Sequence, residues 1–236
     1  MRIKHLFSRG YLMKRYRKTI PKGFNIRAAR RAQALIKDMV IEQDLLKGDI
    51  RRVVGVDVTY IDDIAIAAAV ILDESFRVID KATVVTKVVF PYIPTLLAFR
   101  EVYPAYRALR KLSSPFDIVF VDGNGRLHPY KAGFACHLGV ILRIPTIGIA
   151  KRLLCGRIDK WIGDKALVIM DHDIIGCALK TLSYAKPIFV SVGYGISLNT
   201  AVKIVKRFTL KRRKLPEPIV QAHNLARATA RIIQMS

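Results

Sequence analysis

Apolar positions recur along the chain with two spacings, and together they predict a mixed α/β protein. Runs rich in β-branched residues and bounded by turn residues indicate strands, whereas apolar residues spaced by three and four indicate helices. The predicted strands cover residues 52–60, 64–72, 77–89, 118–122, 146–150, 167–170, 174–179 and 187–192. The predicted helices cover residues 27–46, 95–112, 130–141, 197–208 and 217–233. Pro104 marks a point where the second of these helices can break.

The lengths of the connections constrain how these strands pair. The first three strands are separated only by residues 61–63 and 73–76, and connections this short can join only antiparallel neighbours. A helix precedes the strand that ends at Asp122, so this strand can run parallel to a member of the meander. The predicted fold is therefore a mixed sheet, with a three-stranded antiparallel meander and parallel strands, flanked by helices.

Two carboxylates interrupt the apolar pattern of the strands. Asp57 lies within a run of valines, and Asp122 ends a buried strand just before Gly123 and Gly125. A buried carboxylate is costly unless it is paired or binds a cation, so each could form a salt bridge to an arginine. If the two strands are neighbours, however, the carboxylates lie about 5 Å apart and can share a divalent cation. Oxygen ligands favour Mg²⁺ or Mn²⁺ over zinc.

Four further residues have two interpretations each from the sequence alone. Glu101 could join the two aspartates or form a surface ion pair with Arg100. His223 could act in the site or pack in a helix, and Lys151 could face a phosphate or be an ordinary exposed lysine. His128 has no metal-ligand spacing to another histidine, so an indirect or packing role is favoured.

The strongly positive net charge of the chain predicts that its partner is a polyanion. The chain of 236 residues has 41 Lys and Arg against 18 Asp and Glu, a net charge of +23, which favours nucleic acid. Residues 1–24 form a basic, flexible arm in this interpretation, and residues 25–236 form a single domain. The longest apolar run, residues 64–72, is too short to span a membrane, and no secretory signal or nucleotide-binding motif is present. We expect a cytoplasmic monomer without a nucleotide cofactor.

Six segments carry a family resemblance. They are GVDVTY (55–60), FPYIPTLLAFRE (90–101), VDGNGRLHPYKAGFACHLGV (121–140), IPTIGIAK (144–151), KPIFVSVGYG (186–195) and LPEPIVQAH (215–223). In this order they resemble the Endonuclease V family of deoxyinosine-specific repair nucleases, from about residue 28 to the C-terminus. The resemblance implies an RNase H-like fold and hydrolysis, with Mg²⁺ or Mn²⁺, of the second phosphodiester 3′ to the deaminated base, leaving 3′-hydroxyl and 5′-phosphate ends.

The resemblance also implies roles for individual residues. Asp57, Glu101 and Asp122 match the metal-binding acids of the family, His223 its active-site histidine, and Lys151 its lysine near the scissile phosphate. Tyr92 matches the aromatic wedge that enters the duplex beside the lesion. The substrate-binding residues that the resemblance implies are Tyr92, Pro91, Ile93, Gly123, Gly125 and His128.

Four positions depart from the family pattern and leave the substrate open. Thr95, Asn124, Tyr130 and Tyr194 stand where the family has Gly, His, Arg and His. The expected substrate is DNA containing deaminated bases, and inosine in RNA is an alternative. Another structure-specific RNase H-like nuclease and a non-catalytic nucleic-acid-binding protein are the remaining hypotheses.

Overall fold

A computed structural model describes residues 24–46 and 48–235, so nearly all of the predicted basic arm lies outside the described residues. The strands are β1 (Arg52–Ile61), β2 (Ile64–Asp73), β3 (Val78–Lys87), β4 (Ile118–Asp122), β5 (Thr146–Ala150), β6 (Arg157–Ile162), β7 (Lys165–Met170), β8 (Asp173–Leu179) and β9 (Ile188–Tyr194). The helices are α1 (Ile26–Met39), α2 (Ala98–Arg110), α3 (Phe134–Leu142), α4 (Leu198–Arg207) and α5 (Glu217–Met235).

All nine strands belong to one mixed sheet, ordered β3-β2-β1-β4-β5-β9-β8-β7-β6. Strands β1, β2 and β3 form the predicted antiparallel meander. Strand β4 lies between β1 and β5 and runs parallel to both, as the intervening helix predicted. The carboxyl ends of β1, β4 and β5 therefore meet at one edge of the sheet, and the predicted fold class is confirmed.

Helices cover both faces of the central strands, which explains why these strands are almost entirely apolar. Along β4, Ile118 and Phe120 belong to a core cluster that includes residues of α4 and α5. Val119 and Val121 point the other way, into a second cluster with residues of α2 and α3. A strand buried on both faces has no solvent side on which a carboxylate is tolerated, so Asp122 lies where β4 ends.

Helix α5 packs directly on the backbone of β1. A Cβ atom added at Gly55 would lie 1.9 Å from the carbonyl oxygen of Pro218, so only glycine permits this approach. Both ends of this contact are backbone atoms, and neither can move aside as a side chain would. The close packing matters because α5 carries His223 toward the edge where β1 ends.

Three sequence predictions at helices are wrong, each for a local reason. The first helix ends at Met39 instead of residue 46, because residues 41–45 turn away and bond to the backbone of Gly195. Helix α2 is continuous through Pro104, the seventh of its 13 residues, so the loss of one backbone donor there does not end the helix. Helix α3 begins at Phe134, four residues later than predicted, because bends and turns occupy the chain from residue 128 to Gly133.

Strand β6 has no counterpart among the strands predicted from the sequence. It lies at one edge of the sheet, and most of its residues are exposed. Only Ile158 and Trp161 pack against the cluster beneath it, which is too few apolar positions for a strand pattern. Within residues 24–46 and 48–235, no helix has the length and apolar character needed to cross a bilayer.

The close packing of α5 on β1 predicts that a larger residue at position 55 destabilises the protein. Gly55→Ala should lower the free energy of unfolding by about 3 kcal/mol, because the new methyl group forces the two backbones apart. Urea denaturation measures the change. Gly163→Asn is the control, since Gly163 lies at φ +62° with no heavy atom within 4 Å of an added Cβ. A Gly55→Ala protein as stable as this control would contradict the close packing.

Candidate active site

The sheet places Asp57 and Asp122 side by side. The parallel pairing of β1 and β4 runs as far as Val56 with Val121, so the next residue of each strand is an aspartate. Both carboxylates point to the α5 face, because they follow the alternation that places Val53 and Phe120 in the cluster with α5. Asp57 is only 7% exposed. Two like charges held this close in a poorly solvated place are stabilised by a cation or by a proton on one of them.

His223 and Lys151 each contact one of the two aspartates. The Nδ1 atom of His223 lies 2.8 Å from Oδ2 of Asp57, and a proton on Nδ1 leaves Nε2 free to accept one. The Nζ atom of Lys151 donates to Oδ2 of Asp122 at 2.6 Å. Burial, followed by the charge of Asp57, raises the pKa of Asp122, and Lys151 and His223 oppose that shift.

Glu101 approaches Asp57 and Asp122 from α2. It lies in the first turn of the helix and is 7% exposed. Burial, with the charges of Asp57 and Asp122, raises the pKa of Glu101 to about 8. The hydroxyl of Tyr60 donates to Oε1 of Glu101 at 3.4 Å, and the Arg100 guanidinium lies 4.3 Å from the Tyr60 ring centroid. Of the two interpretations of Glu101, the structure therefore favours the site.

These residues include a donor set suited to a divalent cation. One ligand atom from each of Asp57, Asp122 and His223 lies within 4.8 Å of the others. Two carboxylates and an imidazole suit a divalent ion that accepts oxygen and nitrogen ligands. Glu101 is not among these three, although the predicted metal acids included it. Glu101 is nevertheless close enough for the negative charges of both aspartates to raise its pKa.

Comparison with known proteins identifies the family. The family model for Endonuclease V matches residues 34–224. A curated Endonuclease V from Thermofilum pendens is 53% identical over 213 residues, which cover 90% of this chain and 92% of the relative. The chain belongs to the Endonuclease V family. It is therefore an endonuclease, and the family resemblance of the six segments is confirmed.

Solved structures of the family share this fold. The Endonuclease V of Streptomyces avermitilis superposes with a TM-score of 0.83 at 36% identity, covering 91% of this chain and 98% of that one. A Ciona intestinalis Endonuclease V, in complex with DNA containing an inosine followed by a ribo-adenosine, has a TM-score of 0.80 at 29% identity. That match covers 88% of this chain and 98% of the Ciona chain.

Residues 90–95 form a loop, here called the Tyr92 loop. Its tyrosine is exposed, whereas Phe90 before it is partly buried and Ile93 after it is buried. Tyr92 is 62% exposed and Ile93 is 2% exposed. Phe90 stacks on Phe99 of α2 with ring centroids 5.4 Å apart. The loop therefore presents Tyr92 outward from an anchored base, with Pro91 beside it, and its predicted role as a wedge remains a prediction.

The remaining predicted substrate contacts lie on the chain that follows β4. An added Cβ at Gly125 would lie 2.1 Å from the carbonyl oxygen of Val192, whereas one at Gly123 would meet the Phe134 ring at 3.2 Å. Packing against β9 thus already accounts for glycine at position 125. His128 is 5% exposed, its Nδ1 accepts from the backbone N–H of Tyr130, and burial lowers its pKa to about 3.

Tyr60 is a residue of the site that the sequence did not predict. It lies on the α2 face of β1, because its position alternates with that of Asp57. A tyrosine three residues after a strand aspartate carries no signal of its own. Only the position of α2 shows that its hydroxyl meets Glu101.

The raised pKa of Glu101 predicts a pH-dependent stability. Between its ordinary pKa of 4.5 and about 8, Glu101 keeps a proton in the folded protein that the unfolded chain releases, so stability falls as the pH rises through this window. In the absence of divalent metal, Glu101→Gln should flatten this fall and stabilise the protein at pH 9 by on the order of a few kcal/mol. Urea denaturation between pH 5 and pH 9 measures both slopes.

Asp49→Asn is the control for that experiment, because Asp49 is exposed. The control should keep the slope of the unchanged protein. Equal slopes for Glu101→Gln and the unchanged protein would show that Glu101 ionises normally and does not share the charge of the aspartates.

Proposed function

We propose that this protein is a metal-dependent DNA repair endonuclease that cleaves strands containing deoxyinosine. In this proposal it hydrolyses the second phosphodiester 3′ to the deaminated base and leaves 3′-hydroxyl and 5′-phosphate ends. The observation that carries the proposal is the adjacent pair Asp57 and Asp122, joined by His223 within 4.8 Å. A protein that only bound nucleic acid would gain nothing from these carboxylates, which repel phosphate when no cation is present.

The residues divide the chemistry among them. Asp57, Asp122 and His223 would hold the cation, with Mg²⁺ expected and Mn²⁺ as a substitute, and Glu101 would complete its surroundings. When bound, the cation polarises the scissile phosphate and favours formation of the attacking hydroxide. With a proton on Nδ1, Asp57 orients the His223 ring, so that Nε2 is left to bind the cation. Lys151 would stabilise charge that develops on the phosphate.

Substrate selection would depend on Tyr92 and on the net charge of +23. The exposed Tyr92 ring can fill the space left when a base leaves the stack, at a cost of a few kcal/mol that a mispaired base lowers. Excess positive charge would hold the phosphate backbone without reading sequence. The protein would act as a monomer in the cytoplasm.

RNA containing inosine is the second candidate substrate. The Ciona relative is seen with a strand in which a ribonucleotide follows the inosine, so the family fold accommodates at least one 2′-hydroxyl there. Thr95, Asn124 and Tyr130 depart from the family pattern on segments near the site. The substrate preference of this chain is therefore tested with both kinds of strand.

Cleavage mapping tests the proposal. Labelled DNA, RNA and chimeric strands carrying one inosine should be nicked at the second phosphodiester with Mg²⁺ and stay intact with chelator, and DNA should be the preferred substrate. Asp122→Asn should lower the rate about a thousandfold, because it removes a charge that holds the cation. Asp38→Asn is the control, since the Asp38 side chain is 71% exposed. Metal-independent nicking, or equal cutting of inosine-free flaps, would overturn the proposal.

A further inference from the structure

Two side chains of α1 hold the Tyr92 loop at one residue, Thr95. The Gln33 side chain is 1% exposed and donates through Nε2 to the carbonyl oxygens of Thr95, at 2.9 Å, and Ala132, at 3.1 Å. The Arg30 guanidinium donates to the Thr95 hydroxyl at 2.6 Å and to the Thr95 carbonyl at 3.3 Å. Thr95 therefore receives three hydrogen bonds from one helix.

Thr95 has a backbone conformation that needs such support. Its φ angle is +69°, in the left-handed region that β-branched residues rarely occupy. A strained residue of this kind persists only when its surroundings hold it in place. The contacts from α1 meet both its side chain and its carbonyl group, and the His128 side chain also bonds to the Thr95 backbone.

The same two residues connect the Tyr92 loop to the segment after the glycine turn. The Arg30 guanidinium lies 4.0 Å from the Tyr130 ring centroid, and it also donates to Oε1 of Gln33 at 2.7 Å. Gln33 reaches Ala132 on that segment. Helix α1 thus joins two loops that are distant in sequence.

The apolar contacts of α1 complete the attachment. Ala29 of this helix shares a buried cluster with Ile93 and Leu96, which flank Thr95 on both sides. Tyr92 is immediately next to this anchored stretch, yet its own side chain is 62% exposed. A shift of Thr95 would move the backbone on which the Tyr92 ring is mounted.

We propose that Arg30 and Gln33 are positioning residues that fix the Tyr92 loop in the conformation that selects the damaged base. The inference rests on the proposed function, because it assigns Tyr92 the role of testing whether a base leaves the stack. Preorganising the loop lowers the cost of ordering it on the substrate. Loss of the contacts from α1 should therefore weaken discrimination between damaged and undamaged strands.

The test is a double-mutant cycle across the bond between Arg30 and the Thr95 hydroxyl. Arg30→Met and Thr95→Val each remove one side of the bond while keeping a similar shape. Discrimination is the ratio of kcat/KM for an inosine strand to that for an adenosine strand. Thr95→Val should lower this ratio about tenfold, the value of one hydrogen bond to a charged group. Arg30→Met should lower it at least as much, because it also removes the bond to the Thr95 carbonyl. The double variant should lower it no further than Arg30→Met does.

A spectroscopic readout separates positioning from loss of stability. In an Asp122→Asn background, which keeps the strand intact, 2-aminopurine beside the inosine should brighten on binding as the stack opens. Arg30→Met should reduce this brightening toward the level of Tyr92→Ala at temperatures where circular dichroism shows both proteins folded. Arg31→Met, at an exposed position of the same helix, removes the same charge and should change neither readout.

The outcomes are distinguishable. If the unchanged protein prefers inosine strands but both single variants retain its ratio within twofold, or if the double variant shows the product of the single effects, the positioning role is overturned and the proposed function stands. If the unchanged protein shows no preference for inosine strands, the proposed function fails, and the positioning role fails with it.

Discussion

The repulsion between Asp57 and Asp122 is the interaction on which the site depends. Parallel pairing of β1 and β4 brings the two residues to neighbouring strand ends, in a place where water cannot screen them fully. Three elements place ionisable side chains beside these two carboxylates. Helix α5 brings His223 against Asp57, the end of β5 brings Lys151 against Asp122, and Glu101 has a pKa raised to about 8.

The fold makes this arrangement possible through close backbone packing. Gly55 lets α5 lie on β1 at Pro218, so that His223, five residues further along the helix, can reach the strand end. The parallel strands β4 and β5 are buried on both faces and end together, and Lys151 follows the end of β5 directly. A cation at this edge would offset the repulsion between the two aspartates that the strand pairing brings together. The same cation would serve the hydrolysis proposed above.

Much of the sheet could be predicted because its signals are local. The short turns of the meander and the apolar run that ends at Asp122 are visible in the sequence, and the parallel pairing follows from the helix between them. Strand β6 could not be predicted, because an exposed edge strand has little apolar periodicity. The end of α1 depends on backbone bonds to Gly195, which no local pattern contains.

The sequence indicated which charged residues belong to the site, but not which residues they contact. An aspartate in a valine run indicated a charge that needed compensation, and family motifs indicated which charges belong together. The bond between Asp57 and His223 joins residues far apart in sequence, as do the contacts of Arg30 and Gln33 with Thr95. An arginine or a glutamine on an amphipathic helix gives no sign of such a contact until the helix is placed.

Binding of Mn²⁺ tests most directly whether Asp57, Asp122 and His223 form one cation site. Electron paramagnetic resonance can follow a titration of the full chain with Mn²⁺, comparing Asp57→Asn and His223→Ala with Asp38→Asn. If the three residues form one site, its affinity for Mn²⁺ falls about tenfold or more in the first two variants and is unchanged in the third. Equal affinity in all of them would show that the three residues do not form one cation site.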